Sequence, residues 1–157
     1  MNNKDTAMNA PKQPMTPLAD GHVPVQAKLA AAWTSFMFLY IYVDYFHLYK
    51  PGAIDQIRSG VVFEFAISPT YLTTVLALVS ISALMIVLSM ALPARANRIT
   101  NLIVAALEIP FAAINAVGES WDWASFYGLS IGIEVLLLLF ILRAAWTWPR
   151  TTAATTR

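Results

Sequence analysis

The sequence contains no cysteine, and charged residues make up only 12% of its 157 positions. Without cysteine, structural disulfides, thiolate metal sites and thiol redox chemistry are excluded. A soluble domain usually carries about 25% charged residues. So little charge leaves too little polar surface to cover a water-soluble globule, and a net charge of +1 provides no basic field for nucleic acid. We therefore expect a protein that does not bind nucleic acid.

The sequence contains several long apolar runs. Hydrophobic residues make up 58% of the chain, and they concentrate in segments of about 20 residues, the length that crosses the hydrocarbon core of a bilayer. The prediction is an all-α, membrane-embedded antiparallel four-helix bundle. The transmembrane domain covers residues 28–148, and its predicted spans are residues 28–47, 70–92, 99–117 and 124–146.

The segments outside these spans are predicted to be tails and loops. Residues 1–27 are rich in proline and polar residues, which favours a disordered tail, and residues 149–157 form a second tail. Because residues 1–25 lack the apolar core of a secretory signal, we expect the first span to be a retained anchor. Residues 51–68 are too short and too polar to span, and Pro51-Gly52 indicates a turn, so they are predicted to be a surface loop or an interfacial segment.

The distribution of basic residues predicts the orientation in the membrane. With four spans, both termini and the loop between the second and third spans share one side. Only Lys50 and Arg58 lie on the other side. The positive-inside rule therefore places both termini in the cytoplasm and the protein in the plasma membrane. The basic residues on the predicted cytoplasmic side are Lys4, Lys12, Lys28, Arg95, Arg98, Arg143, Arg150 and Arg157.

The third predicted span carries an acid, Glu108, near its middle. An acid at this depth costs about 2.5 kcal/mol or more, so it needs a partner, a proton or a functional role. Asn101 and Asn115 share its helical face, with small residues between them that let another helix approach. Pro110 removes a backbone donor and frees the carbonyl of Ala106 near the acid. The structural alternative is that Glu108 bonds a hydroxyl of the second helix and only specifies packing.

The first and fourth spans add further polar side chains. Tyr40, Asp44 and His47 are spaced four and three residues apart, so they lie on one face of a helix. Glu134 lies about ten residues into the fourth span, at a depth similar to that of Glu108. The predicted binding residues are Tyr40, Asp44, His47, Asn101, Glu108, Asn115 and Glu134.

These acids suggest proton chemistry rather than metal chemistry. Two neighbouring carboxyls in a dry site can hold one neutral acid and one carboxylate, which together form an acid/base pair. The candidate catalytic residues are Asp44, Glu108 and Glu134. Asp44 and His47 have the spacing of a metal-ligand pair, but di-iron bundles use two Glu-x-x-His motifs and four carboxylates. We therefore predict no metal and no cofactor.

Three classes of function remain open. A binding or transport protein would hold or move a small apolar molecule, a lipid or a proton through an acid-containing site, and the sequence slightly favours this class. A membrane-embedded enzyme would isomerise, cyclise or hydrolyse a lipophilic substrate. An accessory or structural protein would use its acids only for packing. Beyond the lipid bilayer and a lipophilic small molecule, the predicted partner is a second copy of the chain, because Gly128 and Gly132 form a small-xxx-small pair.

Several short motifs point to a known family. They are Lys28-Leu29 followed by Trp33, Tyr40-Ile41-Tyr42-Val43-Asp44, Arg95-Ala96-Asn97-Arg98 followed by Asn101, and Ile133-Glu134. In these motifs the chain resembles a family of small bacterial four-transmembrane-helix proteins of unassigned function, in the neighbourhood of DoxX-like proteins. The resemblance covers residues 28–148, and the Tyr-x-Tyr-x-Asp run is its most specific part, although Leu39 stands where that family often has Asn. It implies a four-helix bundle and no particular reaction.

Overall fold

The computed structural model is a bundle of four long helices, and it confirms the predicted all-α fold class. It describes residues 21, 23–62, 65–114 and 120–149. The long helices are long and apolar enough to cross a membrane. In chain order the helices are α1 (Val25–His47), the short α2 (Ala53–Arg58), α3 (Pro69–Ala91), α4 (Ala94–Ile114) and α5 (Ala124–Trp146), which follows a 3-10 turn at Trp121–Trp123.

Prolines fix where helices begin and end. Ser68 caps α3 by accepting a hydrogen bond from the backbone N–H of Tyr71 at 3.1 Å, and Pro69 occupies the first helical position, where a proline costs nothing. Helix α3 ends before Pro93, which disfavours a helical conformation at the preceding residue. The carbonyl of Pro93 then accepts a hydrogen bond from the N–H of Asn97 at 2.9 Å, and α4 begins at Ala94. Residues 94–98, predicted to belong to the loop between the second and third spans, therefore form the start of α4.

Contacts between helix ends establish the antiparallel arrangement. Trp33, early in α1, bonds Asn101, early in α4. His47 at the end of α1 bonds Tyr127 near the start of α5. We call the end where α1 and α4 begin the Arg98 end, and the end where α1 finishes and α5 begins the His47 end. Helix α1 packs between α3 and α5, and α4 packs mainly against α5.

The apolar core lies toward the Arg98 end. Trp33 and Phe36 of α1 meet edge to face, with ring centroids 5.7 Å apart, and both are buried. Such aromatic pairs add about 0.5–1.5 kcal/mol beyond the burial of their area. The core cluster consists of Leu29, Ala32, Trp33, Phe36, Met85, Ala105, Leu138, Ile141 and Ala145.

The link between α1 and α3 has more local structure than a plain loop. After α2, strand β1 (Val61–Val62) pairs antiparallel with strand β2 (Phe65–Ala66). Gly52 and Gly60 have φ angles of 85° and 83°, which glycine adopts without the strain that a side chain would cause.

Large apolar side chains cover the outside of the bundle as well as its interior. Leu76, Leu107 and Leu136, on three different helices, are 67%, 66% and 67% exposed. A helix of a water-soluble bundle presents one apolar stripe to the core and polar residues outside. Here the outward faces are apolar, so this surface suits contact with hydrocarbon rather than with water.

Candidate functional site

A cavity of about 180 Å³ lies between α1, α3 and α4. Its walls are mainly apolar, and the polar side chains among its lining residues are Tyr40, Ser82 and Glu108. Leu78 and Leu107 also line it, and they are 45% and 66% exposed. Because the same side chains belong to the cavity wall and to the outer surface, the cavity opens sideways, toward the region that lipid would occupy.

The cavity exists because α3 and α4 diverge. Only Leu92 and Pro93 separate the two helices in the chain, yet they contact each other over a much shorter stretch than either contacts its main neighbour. Helix α3 packs on α1 and α4 packs on α5. The two helices therefore pack loosely on each other, and the hydrogen bond between Ser82 and Glu108 bridges them at the cavity.

Glu108 is held by a hydroxyl of the neighbouring helix. The hydroxyl of Ser82 donates to Oε1 of Glu108 at 2.5 Å, and Ser82 is buried. This is the contact that the packing alternative requires. The same carboxyl also lines the cavity. The hydroxyl of Ser82 in α3 thus orients Glu108, whose carboxyl is the acidic group among the residues that line the cavity.

Glu134 of α5 is the most deeply buried acid in the described part of the chain, with 2% of its surface exposed. Its Oε2 is buried and has no hydrogen-bond partner among the residues that the structure describes. Leaving a buried acceptor without a partner costs about 1–3 kcal/mol, and more when it is charged. This oxygen therefore calls for a proton, a water molecule or a ligand.

Glu134 lies within electrostatic reach of the other two predicted catalytic acids. The charges of Asp44 and Glu108 both act on Glu134. Asp44 lies nearer the His47 end, where it is attracted to His47 on the next turn of α1. Helical spacing could not establish this convergence, because it does not fix how each helix is rotated about its axis.

A polar and aromatic cluster occupies the His47 end. Nδ1 of His47 and the hydroxyl of Tyr127 are 2.9 Å apart. Nζ of Lys50 lies 5.7 Å from the ring centroid of Trp123 and 5.8 Å from that of Tyr127, within the range of cation–π attraction. The sequence reading missed Tyr127. Its spacing of seven residues from Glu134 puts the two on one helical face and could have revealed it.

Asn101 belongs to a separate hydrogen-bond network at the Arg98 end and does not line the cavity. Its Oδ1 accepts from Nε1 of Trp33 at 2.7 Å and from the hydroxyl of Ser89 at 3.3 Å. Its Nδ2 donates to Oδ1 of Asn97 at 2.7 Å, and Nδ2 of Asn97 donates to the carbonyl of Ser89 at 2.6 Å. All of these side chains are buried. The network ties α1, α3 and α4 together.

Arg98 lies next to this network. Its guanidinium group lies 5.6 Å from the ring centroid of Trp146. Its Nε is buried and, within the described ranges, has no hydrogen-bond partner. The stacking on an exposed tryptophan is typical of a residue near a membrane interface.

Other predicted site residues do not line the cavity or fall outside the described residues. Asn115 lies outside them, so its prediction stays open. Ala106 and Pro110 are exposed, whereas Glu108 is half-buried against the cavity. Among the residues that the structure describes, no group of three His, Asp or Glu side chains could hold a metal ion.

Gly128 and Gly132 point away from the rest of the chain. Both are exposed, and a Cβ atom added at either position would meet nothing within 4 Å. The small-xxx-small pair therefore packs against none of the described helices of its own chain. Contact with a second copy through this face stays a prediction.

The motifs, the cavity and the buried acids all fall within a stretch that matches a known family. Residues 20–155 match the family described as a family of unknown function, DUF6326. The chain belongs to the DUF6326 family. No curated protein and no solved structure matches it. Membership in a family of unknown function agrees with that part of the resemblance drawn from the motifs, while kinship of this DUF6326 chain with DoxX-like proteins stays a prediction.

Proposed function

We propose that this DUF6326 protein is an integral membrane protein that binds or moves a small apolar molecule through the cavity between α1, α3 and α4. The observation that carries the proposal is a laterally open, mainly apolar chamber of about 180 Å³ with one carboxyl, that of Glu108, in its wall. Small-molecule sites are typically concave and apolar, with a few polar groups that orient the ligand.

The volume limits the part of the ligand that can be enclosed. An engineered protein cavity of about 150 Å³ binds benzene. The slightly larger chamber here would enclose one ring or a short branched chain. A larger lipophile would leave the rest of its body among the lipid chains outside, past Leu78 and Leu107.

The charge distribution supports an orientation in the plasma membrane with both termini in the cytoplasm. Lys28, Arg95, Arg98 and Arg143 all lie near the Arg98 end, which would be the cytoplasmic one by the positive-inside rule. The His47 end would face outward. A ligand would then enter the cavity from the bilayer rather than from either aqueous phase.

A second candidate function is a membrane-embedded acid/base enzyme. The observation that favours it is the electrostatic influence of Asp44 and Glu108 on Glu134. Such a group could share protons between a neutral acid and a carboxylate, and so isomerise, cyclise or hydrolyse a lipophilic substrate. The bond between Ser82 and Glu108 equally supports the accessory or structural alternative.

Mass spectrometry of the molecules that co-purify with the protein in mild detergent tests the proposal. We would compare the wild type with Val104→Phe, which fills the cavity, and with the Glu108→Gln/Glu134→Gln double variant. Leu76→Phe enlarges a side chain on an exposed outward face and serves as the control. A defined small molecule should accompany the wild type and Leu76→Phe, and should be depleted from the other two.

Two other results of that experiment would point elsewhere. Identical bulk lipid in every sample would remove the binding function and leave the structural alternative. A bound molecule that is chemically converted by the wild type, but not by the double variant, would establish the enzyme instead.

A further inference from the structure

We infer that the molecule bound in this cavity is a lipophilic amine, held as its ammonium cation with Glu108 as the counter-ion. The inference rests on the proposed function, because it concerns the same cavity. It adds the charge and the chemical class of the ligand.

Acidic and basic side chains occupy different parts of the bundle. The charges of Asp44 and Glu108 both act on Glu134. The Lys and Arg side chains of the long helices lie in turns near the helix ends instead, as their helix positions establish. These basic residues are Lys28, Arg95, Arg98 and Arg143. The described helices therefore place no lysine or arginine in the middle of the bundle, where Glu108 and Glu134 lie.

The buried carboxyl of Glu134 also calls for a partner. This side chain is 2% exposed, and its Oε2 has no hydrogen-bond partner among the described residues. A buried negative charge without a partner is strongly unfavourable, and a cation in its vicinity relieves that cost. A cation bound at Glu108 would lie within the electrostatic reach of Glu134, so it would offset charge on both acids.

The lining of the cavity favours an organic ammonium ion over a metal ion. Metal ions such as Mg²⁺ and Ca²⁺ need about six or more oxygen ligands, and this cavity offers mainly carbon. An alkylammonium group donates hydrogen bonds from one end and presents hydrocarbon at the other. Phe36, Tyr40 and Phe111 line the same cavity. A cation that lies over the face of an aromatic ring gains about 0.5–2 kcal/mol, so an aromatic lining is compatible with the charged end as well as with the apolar one.

The test compares two probes of nearly equal size and shape, 3-phenylpropan-1-amine and 3-phenylpropan-1-ol. The protein is placed in nanodiscs of zwitterionic phosphatidylcholine at pH 7, and binding is measured by equilibrium dialysis against empty nanodiscs, which correct for partitioning into lipid. The wild type should bind the amine about ten-fold more tightly than the alcohol, because the ammonium group brings a positive charge to the carboxylate of Glu108 and the hydroxyl group does not. Equal affinities would overturn the inference, and this comparison needs no variant.

Two variants with the same change of charge locate the preference. Glu108→Gln should bind both probes with similar affinity, because the amide keeps the shape of the acid and loses its charge. Asp122→Asn removes an exposed acid of the 3-10 turn and should keep the ten-fold preference. A preference for the amine that survives Glu108→Gln would contradict the role of this carboxylate.

The outcomes separate this inference from the proposed function. If the wild type binds the alcohol as well as the amine, and Val104→Phe abolishes both, the cavity binds apolar molecules but the amine inference is wrong. If neither probe binds, or if Val104→Phe changes nothing, both proposals fail. Loss of both probes in Val104→Phe, together with an amine preference that depends on Glu108, supports both.

Discussion

The hydrogen-bond network around Asn101 and the buried acid Glu134 differ in how fully their polar groups are paired. At the Arg98 end, the side chains of Asn97 and Asn101 bond to Trp33, to Ser89 and to each other. Farther along, Glu134 keeps an oxygen without a hydrogen-bond partner among the described residues. Polar groups that satisfy one another rigidify the packing, whereas one that lacks a partner is available to a ligand.

The burial of apolar and aromatic side chains also changes along α1. Leu29, Trp33 and Phe36 of α1 are almost fully buried, but Tyr40, one turn beyond Phe36, is only partly buried and lines the cavity. The difference teaches that a single helix can serve both purposes, because its earlier turns pack in the core while Met37 and Tyr40 form part of the cavity wall. The following predictions test this division.

Trp33→Ala should cause the largest loss of stability. It removes a fully buried side chain and leaves Asn101 without its donor, so the free energy of unfolding should fall by about 3–5 kcal/mol. Thermal unfolding in detergent measures the effect. Trp121→Ala is the matched control because Trp121 is 92% exposed. Similar stabilities of the two variants would contradict a tightly packed Arg98 half.

Asn101→Leu should be the next most harmful, with a loss of about 1–3 kcal/mol. The substitution keeps the approximate volume but leaves the indole N–H of Trp33 and the side-chain oxygen of Asn97 without their partners. Once folded, the variant should still bind the probe molecules in the cavity. Weaker binding at unchanged stability would instead assign Asn101 to the ligand site, as the sequence had predicted.

Ser82→Ala should have a smaller effect on stability and a clear effect on binding. The loss of one hydrogen bond to Glu108 should cost about 0.5–1.5 kcal/mol. Because the hydroxyl orients the carboxyl in the cavity wall, amine affinity should also fall. Ser80→Ala provides the comparison, because Ser80 lies two residues away and its hydroxyl donates to the carbonyl of Leu76 in its own helix. Unchanged amine binding would separate the packing role of Ser82 from the site.

Glu134→Gln should leave stability unchanged or raise it by about 1 kcal/mol. An amide removes charge repulsion from Asp44 and Glu108 without changing the shape of the side chain. If Glu134 only specified packing, its replacement by glutamine should instead destabilise the protein. Chemical unfolding of the variant beside Asp122→Asn distinguishes the two.

Gly132→Ala should change the monomer least. The added methyl group meets nothing within 4 Å, and helix propensity favours alanine by about 1 kcal/mol. Light scattering after size-exclusion chromatography then reports on association. A dimer that dissociates in this variant would establish the predicted contact through the Gly128 and Gly132 face, and an unchanged mass would remove it.

Composition and local pattern determined the helical architecture of this protein. Apolar runs of membrane-spanning length and the prolines at positions 69 and 93 specify four long helices, because these signals act within a single segment. The similar depth of Glu108 and Glu134 also follows from counting residues along each helix. The hydroxyl partner of Glu108 was foreseen as an alternative, since the second span is rich in serine and threonine.

Only the tertiary structure decided which side chains meet. The spacing of Asn101 and Glu108 places both on one face of α4, yet one joins a closed network and the other lines a cavity. That outcome depends on the divergence of α3 from α4 and on the rotation of each helix about its axis. Both are set by the packing of many side chains at once, so no single segment of the sequence encodes them.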